Sequence, residues 1–480
     1  METKNAWEKY TADDLQRVEE LAEDYRQFIS QNKTEREFAE AAMDRARQAG
    51  YQDLEALYEA GASLKPGDKV MACKHGKAVI LAHLGTESLQ NGFNILGAHI
   101  DSPRLDLKQN PLVERNGLLH FDTHYYGGIK HYQWVTLPLA LHGVIAKEDG
   151  TKVRVNVGED PGDPVFCVSD LLIHLAREQM EKTGSKVVEG EDLDVLIGSR
   201  PLPVPPADKA KPADQKSPLE KLAEKEPVKA YTLQLLADKY AMVEEDLLSA
   251  EIEVVPAGPA RDLGFDRSMI LGYGHDDSSC AFPSLLAQLA LTDTPRRTAL
   301  TVLVDKEEIG SVGATGMDSQ FFENVVAVIM ALAGEEGDLK LRHALEYSQM
   351  LSSDVSAALD PAYASVFEPN NAAYLGHGLV FNKYTGARGK SGSNDSSAEF
   401  VARVRRIMNE AGVAFQTAEL GKVDAGGGGT IAYIPAKYGM DVIDSGVAVL
   451  SMHAPWEVVS KADLYEAFKG YMAFLKAERS

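Results

Sequence analysis

Five short motifs constrain this chain more than any other feature: Gly97-Ala98-His99-Ile100-Asp101, His275-Asp276-Asp277, Asp305-Lys306-Glu307-Glu308, Ser352-Ser353-Asp354 and Ser451-Met452-His453. Each stands where a buried strand should end. Phe93–Ala98 leads into His99, Thr301–Val304 into Asp305, Tyr347–Leu351 toward Asp354 and Val447–Leu450 toward His453. Anionic oxygen at the edge of an apolar sheet is costly unless cations neutralise it. Two imidazoles with several carboxylates are the mixture that holds a pair of divalent ions and leaves room for a reacting water. The short apolar runs Ala299–Val304, Val325–Ala331 and Gly446–Met452 read as strands of a sheet covered on both faces. Open α/β sheets place their sites at the carboxyl ends of such strands.

Asp101, two residues beyond His99, can accept the second ring N–H and fix the tautomer. Of the adjacent Glu307 and Glu308, one can bind a metal while the other faces the attacking water as general base. The apolar strand before the pair and Gly310-Ser311-Val312-Gly313 after it argue against a merely solvated surface pair. Asp276 has two oxygens and could bridge two ions. In Gly426–Thr430 the glycines, Gly428 among them, let backbone approach a substrate, although a flexible turn explains them nearly as well. Lys383, Arg388 and Lys390 are candidates for holding a substrate carbonyl or carboxylate. The stretch Thr385–Ser391 is not a phosphate loop, since Tyr384 stands where its first glycine belongs.

A length of 480 residues favours two domains. The net charge of −23 disfavours nucleic acid and anionic membrane surfaces as partners. The longest apolar run, Val325 to Ala333, is too short to cross a bilayer. Three cysteines (Cys73, Cys167, Cys280) and a charged N-terminal stretch without an apolar h-region point to a reducing, cytoplasmic location. The first fifty residues read as helix, with Thr34 and Glu37 as a capping box and Gly50 as a stop. Val70–Leu81 and Phe93–Ile100 read as strands. From Pro103 the texture changes to short strands (Leu118–Thr123, Trp134–Ile145, Val153–Val157), then a helix over Asp170–Lys182. The expected organisation is an α/β catalytic domain in two parts, 1–104 and 246–480, around a β-rich insertion over 105–245. Residues 207–227, rich in Lys, Glu, Pro and Ala, read as a solvated excursion without a catalytic role.

Together Gly97–Arg104 (GAHIDSPR), His275–Cys280 (HDDSSC), Asp305–Ser311 (DKEEIGS), Ser352–Val355 (SSDV) and Met452-His453 resemble the M18 metalloaminopeptidases, the aspartyl aminopeptidase group, over essentially the whole chain. The resemblance implies a mixed-sheet, dinuclear-zinc exopeptidase domain with an inserted β-rich dimerisation domain. It implies that His99 and Asp354 bind one zinc and Glu308 and His453 the other, with Asp276 between them. By the same likeness Glu307 is the catalytic base and Asp101 supports His99. Relatives assemble as dodecamers in which a histidine of the insertion reaches a neighbouring subunit, and His174 matches it best. Many relatives carry Asp-Asn where this chain has Asp276-Asp277. The segments Ile129–Leu137 and Lys383–Ser397 also differ from the acidic-specific branch, so the N-terminal residue removed from peptide substrates is either acidic or neutral.

The physiological metal is open among zinc, cobalt and manganese, all of which accept such nitrogen and oxygen donors. A dinuclear amidohydrolase deacylating small N-acyl compounds is a second expectation, and a scaffold without turnover a third. An intact Glu307 beside a complete ligand set speaks against the scaffold. Glycoside hydrolysis by paired carboxylates would leave His99 and His453 unexplained.

Overall fold

The apolar runs Ala299–Val304, Asn94–His99 and Gln349–Ser352 lie side by side and parallel in the middle of a nine-stranded sheet. Residues 4–203, 212–386 and 388–478 are described by the computed structural model. They fall into two units, Met1–Ser102 with Pro259–Ser480, and Pro103–Gly258.

In the first unit, alternation along the strands feeds two apolar layers. Leu96, Ala98 and Leu303 pack with Phe38, Phe282 and Tyr471 on one face. Ile95, Val302 and Met350 pack with Phe322 and Ile329 on the other. The helices Ala12–Gln31, Glu35–Gln48, His275–Leu289 and Lys461–Lys476 supply the first layer, and Phe321–Leu332 and Asp338–Glu346 the second. Each fully buried side chain of this size is worth about 1.5–3 kcal/mol. The three central strands, buried along their whole length, present only their ends to water. A smaller five-stranded sheet, in the order Arg261–Leu263, Met269–Gly272, Glu457–Ser460, Ala448–Leu450 and Ser356–Ala357, belongs to the same unit.

Several sequence expectations are corrected. Val325–Ala331 is helix, not strand. Phe322, Val325, Val326, Ile329 and Met330 are its buried residues, spaced as one face of a helix, and the apolar residues between them mask that period. Val70–Leu81 is a hairpin, Lys69–Lys74 and Ala78–His83, turning at His75 (φ 53°) and Gly76 (φ 70°). Two left-handed residues in succession make the tight turn that suits twisted strands. Glu37 does not close a reciprocal box. Thr34 caps its N–H at 3.2 Å, but its carboxylate accepts from Lys33, one residue earlier.

The second unit is a seven-stranded antiparallel sheet. It extends to Gly258 because Ala250–Pro256 pairs with Leu139–Ala146 along its length. The strand expected over Trp134–Ile145 starts only at Leu139, after a turn in which Thr136 has φ 59°. Of the helix expected over Asp170–Lys182 only Arg177–Met180 forms. Leu171, Leu172, Ile173 and Leu175 are instead 48–69% exposed. Of the charged stretch, 207–211 lies outside the described residues, and Ser217 caps a short helix, Pro218–Leu222, within the rest.

Candidate metal centre

The sequence fixes each donor at an element boundary, and two sheets contribute. His99 ends the strand Asn94–His99, Glu307 and Glu308 follow Ala299–Val304, and Asp354 follows Gln349–Ser352. These three strands are neighbours in the large sheet. Asp276 follows Met269–Gly272 and His453 follows Ala448–Leu450, both in the smaller sheet. After Ala299–Val304 the chain turns sharply. Asp305 accepts the Lys306 N–H at 2.8 Å and the Thr315 hydroxyl at 2.6 Å, Lys306 is left-handed (φ 69°), and Glu307–Ile309 makes one tight turn.

The side chains converge. Nε2 of His99 lies 3.1 Å from Oδ1 of Asp276, and Nε2 of His453 lies 3.1 Å from Oδ2 of the same carboxylate. His453 Nε2 is 3.5 Å from Glu308 Oε1. Donor atoms of three sets, His99–Asp276–Asp354, His99–Glu307–Glu308 and Asp276–Glu308–His453, each lie within 4.8 Å of one another. His99 Nδ1 is 3.0 Å from the Asp101 carbonyl oxygen and 3.3 Å from its carboxylate. The carbonyl can only accept, so the ring proton sits on Nδ1. A neutral ring then points the bare lone pair of Nε2 at an anionic oxygen.

That arrangement lacks something positive. With the His99 and His453 rings neutral at Nε2, no hydrogen-bond donor faces the buried Asp276 Oδ1 or Glu308 Oε1. Burial pulls the His99 imidazole down, but hydrogen bonds to Asp101 and Asp276 outweigh it and hold its pKa well above the usual histidine range. Burial, then the neighbouring Asp276, pushes Glu308 far up. Burial and then Glu307 do the same to Asp354. Glu307 rises to about 7, chiefly through burial. Asp276 alone is depressed, because hydrogen bonds to His453 and His99 overcome its burial. Buried anionic oxygens crowded in this way call for positive charge to neutralise them. Nitrogen and carboxylate donors that are buried, crowded and short of positive charge fit zinc.

Asp101 has a second task that sequence reading missed. Its two oxygens accept the backbone N–H groups of Glu307 and Glu308, each at 3.2 Å. Glu457 was missed altogether. It is 1% exposed and receives the backbone N–H of both Asp276 and His453. The available signal was an acid set directly before the apolar Val458-Val459. Of the other expected residues, Lys383 is turned to Asp395 at 2.5 Å, and the Gly428 carbonyl accepts the Gly386 N–H at 2.8 Å. His174 belongs to the second unit, within its exposed apolar stretch.

A sequence profile described as "Aminopeptidase I zinc metalloprotease (M18)" matches residues 28–475. A protein of Clostridium acetobutylicum described as a probable M18 family aminopeptidase 1 is 58% identical over 99% of this chain and 98% of its own. The crystal structure of aminopeptidase I from that organism superposes with a TM-score of 0.88 at 55% identity, covering 99% of both chains. An M18 aminopeptidase from Thermotoga maritima superposes at 0.90 with 41% identity, again over 99% of both. A yeast mApe1 dodecamer matches at 0.75 and 19% identity, over 96% of this chain and 97% of that one, a likeness of fold alone. No helix among the described residues is long and apolar enough to cross a membrane. The chain belongs to the M18 family, the zinc metalloproteases that remove residues from the N-termini of peptides.

Proposed function

We propose that the chain is a dinuclear aminopeptidase in which His99 and Asp354 would hold one zinc, Glu308 and His453 the other, and Asp276 would serve both. The observation that carries this reading is the placing of the two Asp276 oxygens, each 3.1 Å from a different imidazole. When bound, the ions supply a water of lowered pKa and polarise the scissile carbonyl. Glu307 then takes the proton of the attacking water and later delivers one to the leaving amine. Its carboxyl stands at about 7 in the bare chain, chiefly through burial. Beside bound cations that carboxyl would titrate lower and serve as a base at neutral pH. Asp101 holds the His99 ring by Nδ1 and the backbone of both glutamates, so the base and its neighbour keep their places.

The substrate reading favours a neutral N-terminal residue. Lys383 and Lys390 both bind Asp395, at 2.5 and 3.0 Å, and Lys390 also lies 3.7 Å from the centre of the Tyr384 ring. Both amines are turned to the one carboxylate of Asp395, which weakens their hold on an acidic side chain. Stripped protein reloaded with zinc, assayed on leucyl-, aspartyl- and glutamyl-anilides, should turn over the leucyl substrate with at least a tenfold higher kcat/KM. Preference for the acidic pair would overturn the substrate reading but not the mechanism. Glu307→Gln should bind zinc as the parent does and lose about 10²–10⁴-fold in kcat, the range of one acid–base group.

We also propose that the exposed Leu171, Leu172, Ile173 and Leu175 are covered in a homo-oligomer, carrying His174 into an interface with another copy. The dodecamer expected from the resemblance remains the assembly to look for.

A further inference from the structure

Glu457 opens the strand Glu457–Ser460, and its two carboxylate oxygens go to different parts of the centre. Oε2 accepts the backbone N–H of Asp276 at 3.0 Å, and Oε1 accepts that of His453 at 2.7 Å. These are the residues whose side chains meet at 3.1 Å. Neither backbone is held there by regular structure. Asp276 (φ −81°, ψ 104°) is non-helical at the start of its helix, and His453 is left-handed (φ 63°) in a turn.

We propose that Glu457 is a positioning residue that sets the Asp276–His453 side of the metal centre by tying two backbones together. The groups it holds are backbone N–H groups rather than donor atoms. Asp101 performs the matching task on the other side, where its carboxylate receives the Glu307 and Glu308 N–H groups and lies 3.3 Å from His99 Nδ1. Two buried carboxylates thus divide the scaffold of one centre, Glu457 tying Asp276 to His453 and Asp101 tying His99 to both glutamates. The inference rests on the two-ion reading above.

Glutamine in place of Glu457 keeps the shape but turns one oxygen into an NH2 group, a donor facing a donor. One strap is lost and a buried N–H is left unpaired. Groups that orient metal ligands in this way typically contribute about 10–100-fold in affinity.

The test is zinc titration of stripped Glu457→Gln against a chromophoric chelator, with the parent and His453→Ala alongside. The parent should take up two equivalents. Glu457→Gln should weaken the second equivalent about 10–100-fold and the first by less, since His453 serves one ion and Asp276 both, with kcat restored by excess zinc. Parent-like affinity for both equivalents, equal weakening of both, or no rescue would each overturn the role of Glu457. Two parent-like equivalents in His453→Ala would instead overturn the two-ion reading. Should Glu457→Gln fail to fold, amide exchange in the stripped parent decides. The Asp276 and His453 amides should exchange as slowly as those of Met269–Gly272, and fast exchange at both would end the proposal.

Discussion

At the scale of single residues, His99 shows how strongly the centre is built around missing positive charge. Its Nδ1 is committed to Asp101, and its Nε2 faces the Asp276 carboxylate at 3.1 Å. Asp101→Asn is therefore informative. The carboxamide presents an oxygen to only one of the Glu307 and Glu308 N–H groups, which lie at 3.2 Å from separate Asp101 oxygens. Zinc affinity should fall about 10–100-fold, and the same chelator titration reads it; unchanged affinity would show that the Asp101 carbonyl alone suffices. His99, Glu307, Glu308, Asp354 and His453 were legible because imidazoles and acids at the ends of apolar runs have few structural uses. Glu457 was not, because its partners are backbone N–H groups of Asp276 and His453, distant or unremarkable in sequence.

At the scale of elements, close packing of strand on loop keeps the donors in place. Gly446 ends the strand Asp441–Gly446, and a Cβ there would fall 1.9 Å from the Asp354 carbonyl oxygen. A Cβ at Gly97 would fall 2.0 Å from the Met350 methyl, the far end of a flexible side chain. Gly446→Ala should thus lower Tm and zinc affinity more than Gly97→Ala, because backbone beside Asp354 must move in one case and a methionine rotamer in the other. Thermal unfolding of both variants, with and without zinc, measures it; the reverse ranking would contradict the argument. The strands Asn94–His99 and Ala299–Val304 could be read directly, being short, apolar and followed by an acid or histidine. The helix Phe321–Leu332 and the unformed helix beyond Asp170 could not. In the first, apolar residues on every face erase the period. In the second, the helical period is present, but its apolar residues stand exposed.

At the scale of the whole molecule, buried carboxyls make stability depend on pH in a direction that zinc should alter. Burial raises Asp444 to about 7, Asp463 to about 8 and Glu307 to about 7. In the unfolded chain such groups ionise near 4. A raised acid contributes stability in full below that value and loses it as pH climbs through the folded pKa. His275 and His83, lowered by burial to about 3 and about 4, act oppositely, but only as pH falls through about 6.5. Between pH 6.5 and 8 the carboxyls therefore decide, and Tm of the stripped protein should fall as pH rises. Zinc should raise Tm more at pH 8 than at 6.5, since protons compete for the same donors. A stripped protein that gains stability over this window would refute that reasoning. Leu172→Glu should shift the assembly toward smaller species by light scattering, with zinc content unchanged. An unaltered mass would remove the exposed stretch from the interface.

Crystals of the zinc-loaded protein measured on either side of the zinc absorption edge test the central claim most directly. Two anomalous peaks per chain are predicted, one against His99 and Asp354, the other against Glu308 and His453, with the Asp276 carboxylate between. A single peak, or a second peak away from His453, would contradict the account.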